Sequence, residues 1–166
     1  MTTSAVEVAV SEATNLRRTF SCFPTGVACI AGLVDGDPQG LLVNSLTSVS
    51  LDPPLAAFCV AHTSRTWPLL GTADPIGVSV LTERQRNVGE RFASTAAARF
   101  DQQDWDIHDD GALVLRDAAA WLACAVHSTM DAGDHRIVVL RILRHSGDPA
   151  LRPLVFHASS YCTLES

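Results

Sequence analysis

Between Asn44 and Ser50, five short hydroxyl or amide side chains (Asn44, Ser45, Thr47, Ser48 and Ser50) stand within seven residues. An Asp52-Pro53-Pro54 turn and the apolar run 55–61 follow at once. Such groups are costly to bury unpaired, so the cluster must meet water, backbone or a ligand. Small polar residues beside a turn are common for local reasons, and a solvated strand edge is the plainer reading. The sharper one is a polar shelf for a flat ligand with hydrogen-bonding edges. Asn44 and Ser45 offer it an amide and a hydroxyl, and strand alternation would turn Ser48 and Ser50 to the same side. Further on, Ser64-Arg65-Thr66 sets two hydroxyls and a guanidinium in three residues. That set suits an oxyanion, and it equally suits a polar loop capping a helix. His135 closes a Gly133-Asp134-His135 triplet. A histidine near a turn is commonly a surface or hydrogen-bonded residue. Here the glycine permits a tight backbone, and the neighbouring carboxylate can orient or charge the imidazole. Phe92 and Phe100 read first as core aromatics.

The bulk numbers exclude several classes. The chain has 166 residues, of which 47% are hydrophobic and 18% charged, with a formal charge of −6. One globular domain, residues 1–166, is expected. The acidic balance and the lack of a Lys/Arg run argue against a nucleic-acid surface, although single arginines can still hold a phosphate. No apolar stretch approaches the length of a membrane span. Met1 to Val10 lacks a basic start and a signal-peptide core, so a cytoplasmic protein is expected. Five cysteines include no Cys-x-x-Cys pair, and six histidines include no His-x-x-x-His pair. Neither a metal site nor a disulfide framework is expected. Cys29, Cys59 and Cys124 sit in apolar runs and read as small core residues.

The elements that must position these groups are mostly strands. Val27 to Val34 reads as a buried strand, turning at Asp35-Gly36-Asp37-Pro38 into Gly40 to Val43. Further strands are expected at Pro54 to Ala61, Ile76 to Leu81, Ala112 to Leu115 and Leu154 to His157. Ala119 to Ser128 and His135 to Arg144 form a large hairpin joined by the six residues Thr129 to Asp134. Helical patterns are few: residues 11–19 with Ser11 as N-cap, a turn over Thr66 to Leu70, and Glu83 to Ala93. Residues 94–111 are polar and irregular. Many strands with few helices predict a mainly β fold, an antiparallel barrel with helical decoration.

Four signals in order carry a resemblance: Phe20 with Pro24-Thr25-Gly26-Val27, the shelf from Gly40 to Pro54, Ser64-Arg65-Thr66, and Gly133-Asp134-His135. With Phe92 and Phe100 between them, the set resembles the flavin reductase domain family over about residues 20–161. The resemblance implies a split β-barrel of the flavin-reductase, FMN-binding type, a homodimer, and flavin bound near the subunit interface. It implies reduction of FMN or FAD by NADH or NADPH, with reduced flavin passing to a partner monooxygenase. Flavin-binding candidates are then Asn44, Ser45, Ser48, Ser50, Ser64, Arg65, Thr66, Phe92 and Phe100, and His135 is the catalytic candidate, for positioning the nicotinamide substrate and for proton supply. Leu42 stands where the family commonly has a threonine. Arg136 and Arg141 are candidates for a 2′-phosphate. Two other classes share the same barrel: a flavin-binding module without reductase activity, and an oxidoreductase that retains its flavin and reduces another small molecule. NADH oxidation with free flavin, and retention of flavin after reduction, separate the three.

Overall fold

Two apolar faces alternate along the first long strand, so it must be covered on both sides. The computed structural model describes residues 5–93, 99–100 and 104–164. Helix α1 (Ala5–Phe20) leads into β1 (Thr25–Gly26), β2 (Ala28–Val34), β3 (Asp37–Val43), β4 (Thr47–Leu51) and β5 (Pro54–Ala61). Helix α2 (Trp67–Leu70), β6 (Ile76–Val80), a 3-10 turn (Glu83–Gln85) and α3 (Arg86–Ala93) follow. The remainder is β7 (Trp105–Ile107), β8 (Leu113–Leu115), β9 (Ala120–Ala132), β10 (His135–Gly147), β11 (Val155–His157) and β12 (Ser160–Cys162).

Seven strands form one antiparallel sheet in the order β3-β2-β6-β9-β10-β5-β4. It curls into a split-barrel-like shell whose ladder does not close. Ala28 and Ile30 of β2, Phe58 and Val60 of β5, Ile76 and Val78 of β6, and Val138 and Leu140 of β10 fill the interior. Trp67 and Leu70 of α2 pack into the same cluster, Trp67 edge-on to Phe58 at 5.4 Å. On the outer side, Val27, Cys29 and Ala31 pack with Val88 and Phe92 of α3, Trp105, and Leu113 and Leu115 of β8. Burying both faces of β2 supplies the main apolar drive to this architecture.

Strand β8 lies close against β6. A Cβ built on Gly77 would stand 1.9 Å from the Leu113 carbonyl oxygen. Ser79, also buried, accepts a hydrogen bond from the Leu115 backbone N–H at 2.8 Å. A polar side chain here thus satisfies an amide that β8 leaves without a ladder partner.

Several expectations need correction. Helix α1 is already running at Ala5, so Ser11 lies inside it and does not cap it. The turn between the long strands is Gly133-Asp134 alone, because β9 continues through Thr129 to Ala132 in register with His135 to Val138. The stretch expected as one helix from Glu83 begins as a 3-10 turn, held by a capping box in which the Thr82 N–H donates to Gln85 Oε1 at 3.0 Å. Strands β7 and β12 had no sequence signal strong enough to be expected. Of the irregular segment 94–111, residues 94–98 and 101–103 lie outside the described residues. No described helix is long and apolar enough to cross a membrane.

Candidate active site

The polar shelf follows the end of β3, where the covered outer face gives way to an open one. On that face Gly40 lies under two rings: a Cβ there would meet Phe100 at 2.9 Å and Phe92 at 3.3 Å. Phe92 is buried and Phe100 half-buried, with ring centroids 5.7 Å apart, and Phe100 stacks on Trp105 at 4.9 Å. Both aromatics therefore hold α3 and β7 onto β3. Leu42, two residues on, packs against the same cluster, and Asn44, two further, is exposed. An unspent amide thus stands directly past the last covered position.

Ser45 has a different task. Its Oγ accepts from the Cys59 N–H at 2.9 Å and donates to the Cys59 carbonyl at 3.4 Å. This side chain ties the end of β3 to β5 across the gap that no ladder bridges. Ser48 and Ser50 stand opposite Ala56 and Leu55, successive residues of β5, because the register shifts between them. The expected sharing of one face by Ser48 and Ser50 is therefore corrected: a bulge breaks the two-residue alternation.

Beyond β5, the Ser64 N–H donates to the Ala61 carbonyl at 2.9 Å, and Ser64 Oγ accepts from the Trp67 N–H at 3.2 Å. Ser64 is thus committed to the start of α2. Thr66 is half-buried and its carbonyl accepts from the Leu69 and Leu70 amides, while its hydroxyl makes no cap bond. Arg65 is exposed and makes no hydrogen bond or ion pair among the described residues. Its guanidinium thus stands unneutralised at a loop corner whose neighbours are bonded.

The third component is the tip of the β9–β10 hairpin. Gly133 takes φ +65, the left-handed region that a glycine enters without steric cost. The His62 N–H donates to the Asp134 carbonyl at 3.0 Å, which fastens the tip to the end of β5 three residues before Arg65. His135 Nδ1 and Asp134 Oδ1 are 2.7 Å apart. The hydrogen bond from His135, followed by the attraction of that imidazole, holds the Asp134 carboxyl below the usual carboxylate range. With Nδ1–H donated to Asp134, Nε2 is left for a ligand. On the next residue, Arg136 Nε donates to Asp131 Oδ1 at 3.1 Å, and His62 Nε2 lies 3.9 Å from the same oxygen.

Arg65 and His135 therefore sit at one end of β5, and Asn44 on the neighbouring strand connection. Phe92, Phe100, Ser45 and Ser64 are bonded or packed into the scaffold around them. Asp131 and His62 had not been singled out. Their signal was the register of the hairpin, which makes Asp131 the cross-strand partner of Arg136 only when the turn has two residues. A cavity of about 660 Å³ lies elsewhere, among Thr82, Gln85, Arg116 and Arg152, and none of the expected site residues lines it. Among the described residues no three His, Cys, Asp or Glu side chains group as metal ligands would.

An open β shell thus carries a polar strand edge, an unneutralised arginine and a carboxylate-held histidine at one end of β5. The chain belongs to the flavin reductase like domain family, whose model matches residues 20–165. It is 40% identical over 128 residues to a probable flavin reductase of Rhizobium meliloti (strain 1021), covering 76% of this chain and 41% of that protein. This chain thus spans less than half the length of that relative. It is 34% identical over 145 residues to the flavin-dependent monooxygenase reductase subunit HsaB of Mycobacterium tuberculosis (strain CDC 1551 / Oshkosh), covering 86% of this chain and 78% of that one. Among solved structures it is similar to the NADH:FAD oxidoreductase SgcE6 of Streptomyces globisporus C-1027, with TM-score 0.86 and 32% identity, covering 93% and 94% of the two chains.

Proposed function

We propose that this chain is an NAD(P)H:flavin oxidoreductase that reduces FMN or FAD and releases reduced flavin to a partner monooxygenase in the cytoplasm. The observation that carries the reading is the His62–Asp134 backbone bond, which brings an unneutralised Arg65 and an oriented His135 to the same end of β5. Family membership and similarity to named flavin reductases support it.

The residues fit the two ligands. Asn44 offers a donor and an acceptor to a ring edge. Arg65 offers a charge-assisted bond to the flavin phosphate, with Ser64 and Thr66 holding its loop. Ser45 shapes the shelf through the Cys59 backbone. When both ligands are bound, hydride moves from the nicotinamide to the flavin ring. His135 positions the nicotinamide through Nε2, and Asp134 fixes the imidazole from Nδ1. Alignment of two rings accounts for up to roughly 7 to 11 kcal/mol of barrier lowering, so positioning can suffice without a nucleophile or metal.

These groups stand on an open face. Cys59, Ala61, Ile137 and Val139 point outward beside them, are half-buried and belong to neither buried cluster. A second copy laid on this strip would enclose the flavin, and a homodimer is the assembly we expect. The test is steady-state oxidation of NADH and NADPH with FMN, FAD and riboflavin at matched concentrations. Flavin-dependent turnover is expected. Flavin binding without oxidation of either nucleotide would leave a binding module in its place.

A further inference from the structure

Leu16, Phe20 and Phe23 are 52%, 56% and 60% exposed, which leaves three large apolar side chains uncovered on one short stretch of chain. Residues 12–20 of α1 are exposed throughout. Past the helix, the Ser21 carbonyl accepts from the Ala158 N–H at 2.9 Å and ties the segment to the turn between β11 and β12. The rings of Phe20 and Phe23 rest on each other, centroids 6.1 Å apart, and belong to neither buried cluster. A helix of this length is marginal in water unless one face of it is packed.

Ala13, Leu16 and Phe20 follow one another at steps of three and four, so they share a face of α1. In the sequence, Val6 and Ala9 continue the same steps toward the start. That spacing is the seam of two paired helices. The charges agree with it. Glu12 and Arg17 flank the seam on opposite sides, five residues apart, the separation at which an acid on one helix meets a base on a parallel partner. Within one helix that separation is wrong for a pair. Neither side chain makes a hydrogen bond or ion pair among the described residues. A two-fold axis would form the contact twice. With two acidic and two basic residues, α1 lacks the Lys/Arg-rich polar face of a helix that lies on an anionic membrane.

We propose that α1 pairs, parallel and in register, with α1 of a second copy of this chain, covering Leu16 and Phe20 and joining Glu12 of each copy to Arg17 of the other. The proposal rests on the homodimer reading for its second copy, and it adds a contact apart from the strip along β5 and β10.

Sedimentation of the full chain tests it, on wild type, Leu16→Lys, Glu12→Arg, Arg17→Glu and the double charge reversal. A Leu16→Cys variant, made with exposed Cys22 changed to Ser, is oxidised in parallel. Wild type should be dimeric, and Leu16→Lys should shift it toward monomer. Each single charge reversal should weaken the dimer about tenfold, the scale of two exposed ion pairs, and less so at high salt. The double reversal should restore it. Leu16→Cys should give a disulfide-linked dimer, because a parallel pair sets the two sulfurs opposite each other. Far-UV circular dichroism of each variant separates dissociation from unfolding. A dimer that survives Leu16→Lys and gives no cross-link would overturn the α1 pair and leave the homodimer reading standing. Dissociation by Leu16→Lys with no cross-link, or with no restoration by the double reversal, would seat α1 on another surface of the second copy and overturn the parallel pair. A monomeric wild type would overturn both the pair and the homodimer reading. If that monomer also bound phosphatidylserine vesicles through Leu16, the helix would belong to a membrane surface instead.

Discussion

The two outward faces of the curled sheet carry the same alternating pattern and are finished differently. Along β2 and β6 the outward residues Cys29, Ala31, Gly77 and Ser79 are buried under α3 and β8. Along β5 and β10 the outward residues Cys59, Ala61, Ile137 and Val139 are half-buried and join neither buried cluster, although their inward neighbours Phe58, Val60 and Val138 are fully in the core. The covered face spends its polar groups on backbone, as Ser79 does on Leu115. The open face keeps Asn44 and Arg65 exposed at its border. Substitutions on the first face should therefore act on stability, and those on the second on ligands.

The largest effect should come from the covered face. Gly77→Ala would drive a methyl group into the Leu113 carbonyl, and backbone cannot rotate aside as a side chain can. A loss of about 3 kcal/mol is expected, roughly 10 °C in melting temperature for a domain of this size. A variant that melts like wild type would mean that β8 is not seated on β6 as described.

On the open face, Arg65→Ala should weaken FMN and FAD by about tenfold or more and spare riboflavin, which has no phosphate. Titration with the three flavins checks this. Equal losses for all three would return Arg65 to a structural role.

His135→Ala should lower kcat/KM for NADH about tenfold, or about 1.4 kcal/mol of transition-state stabilisation, while flavin affinity changes little. Anaerobic stopped-flow bleaching of the flavin over a range of NADH concentrations measures it. Bleaching at the wild-type rate throughout would remove His135 from the mechanism.

The smallest expected effect divides two adjacent residues. Asn44→Leu should cost several-fold in flavin affinity, the worth of one neutral hydrogen bond at about 0.5 to 1.5 kcal/mol, with little change in melting. Ser45→Ala should do the reverse, lowering stability by about 1 kcal/mol through the lost Cys59 bonds. If both changes act on affinity alone, the border between scaffold and site is misplaced.

Much of this was legible along the chain. Strand β5 begins and ends where its sequence pattern predicts, Pro54 to Ala61, because proline marks the entry and the apolar run lasts to the end. The short α2 and the start of β10 at His135 were equally local, whereas the turn expected over Asp35 to Pro38 is only Asp35-Gly36, because β3 already pairs with β2 from Asp37. Other features depend on a partner strand that no local window contains. The continuation of β9 to Ala132 is held by its ladder with β10, and the bulge between Ser48 and Ser50 by pairing with β5. Ser45, Ser48 and Ser50 are the same residue type within six positions, yet one bonds the Cys59 backbone and a register shift separates the other two. Residue type and spacing determined the mainly β class, the core strands and the inventory of polar groups. Tertiary structure decided which of those groups are already bonded and which remain free, because a hydrogen bond between residues far apart in sequence is settled by register and curvature.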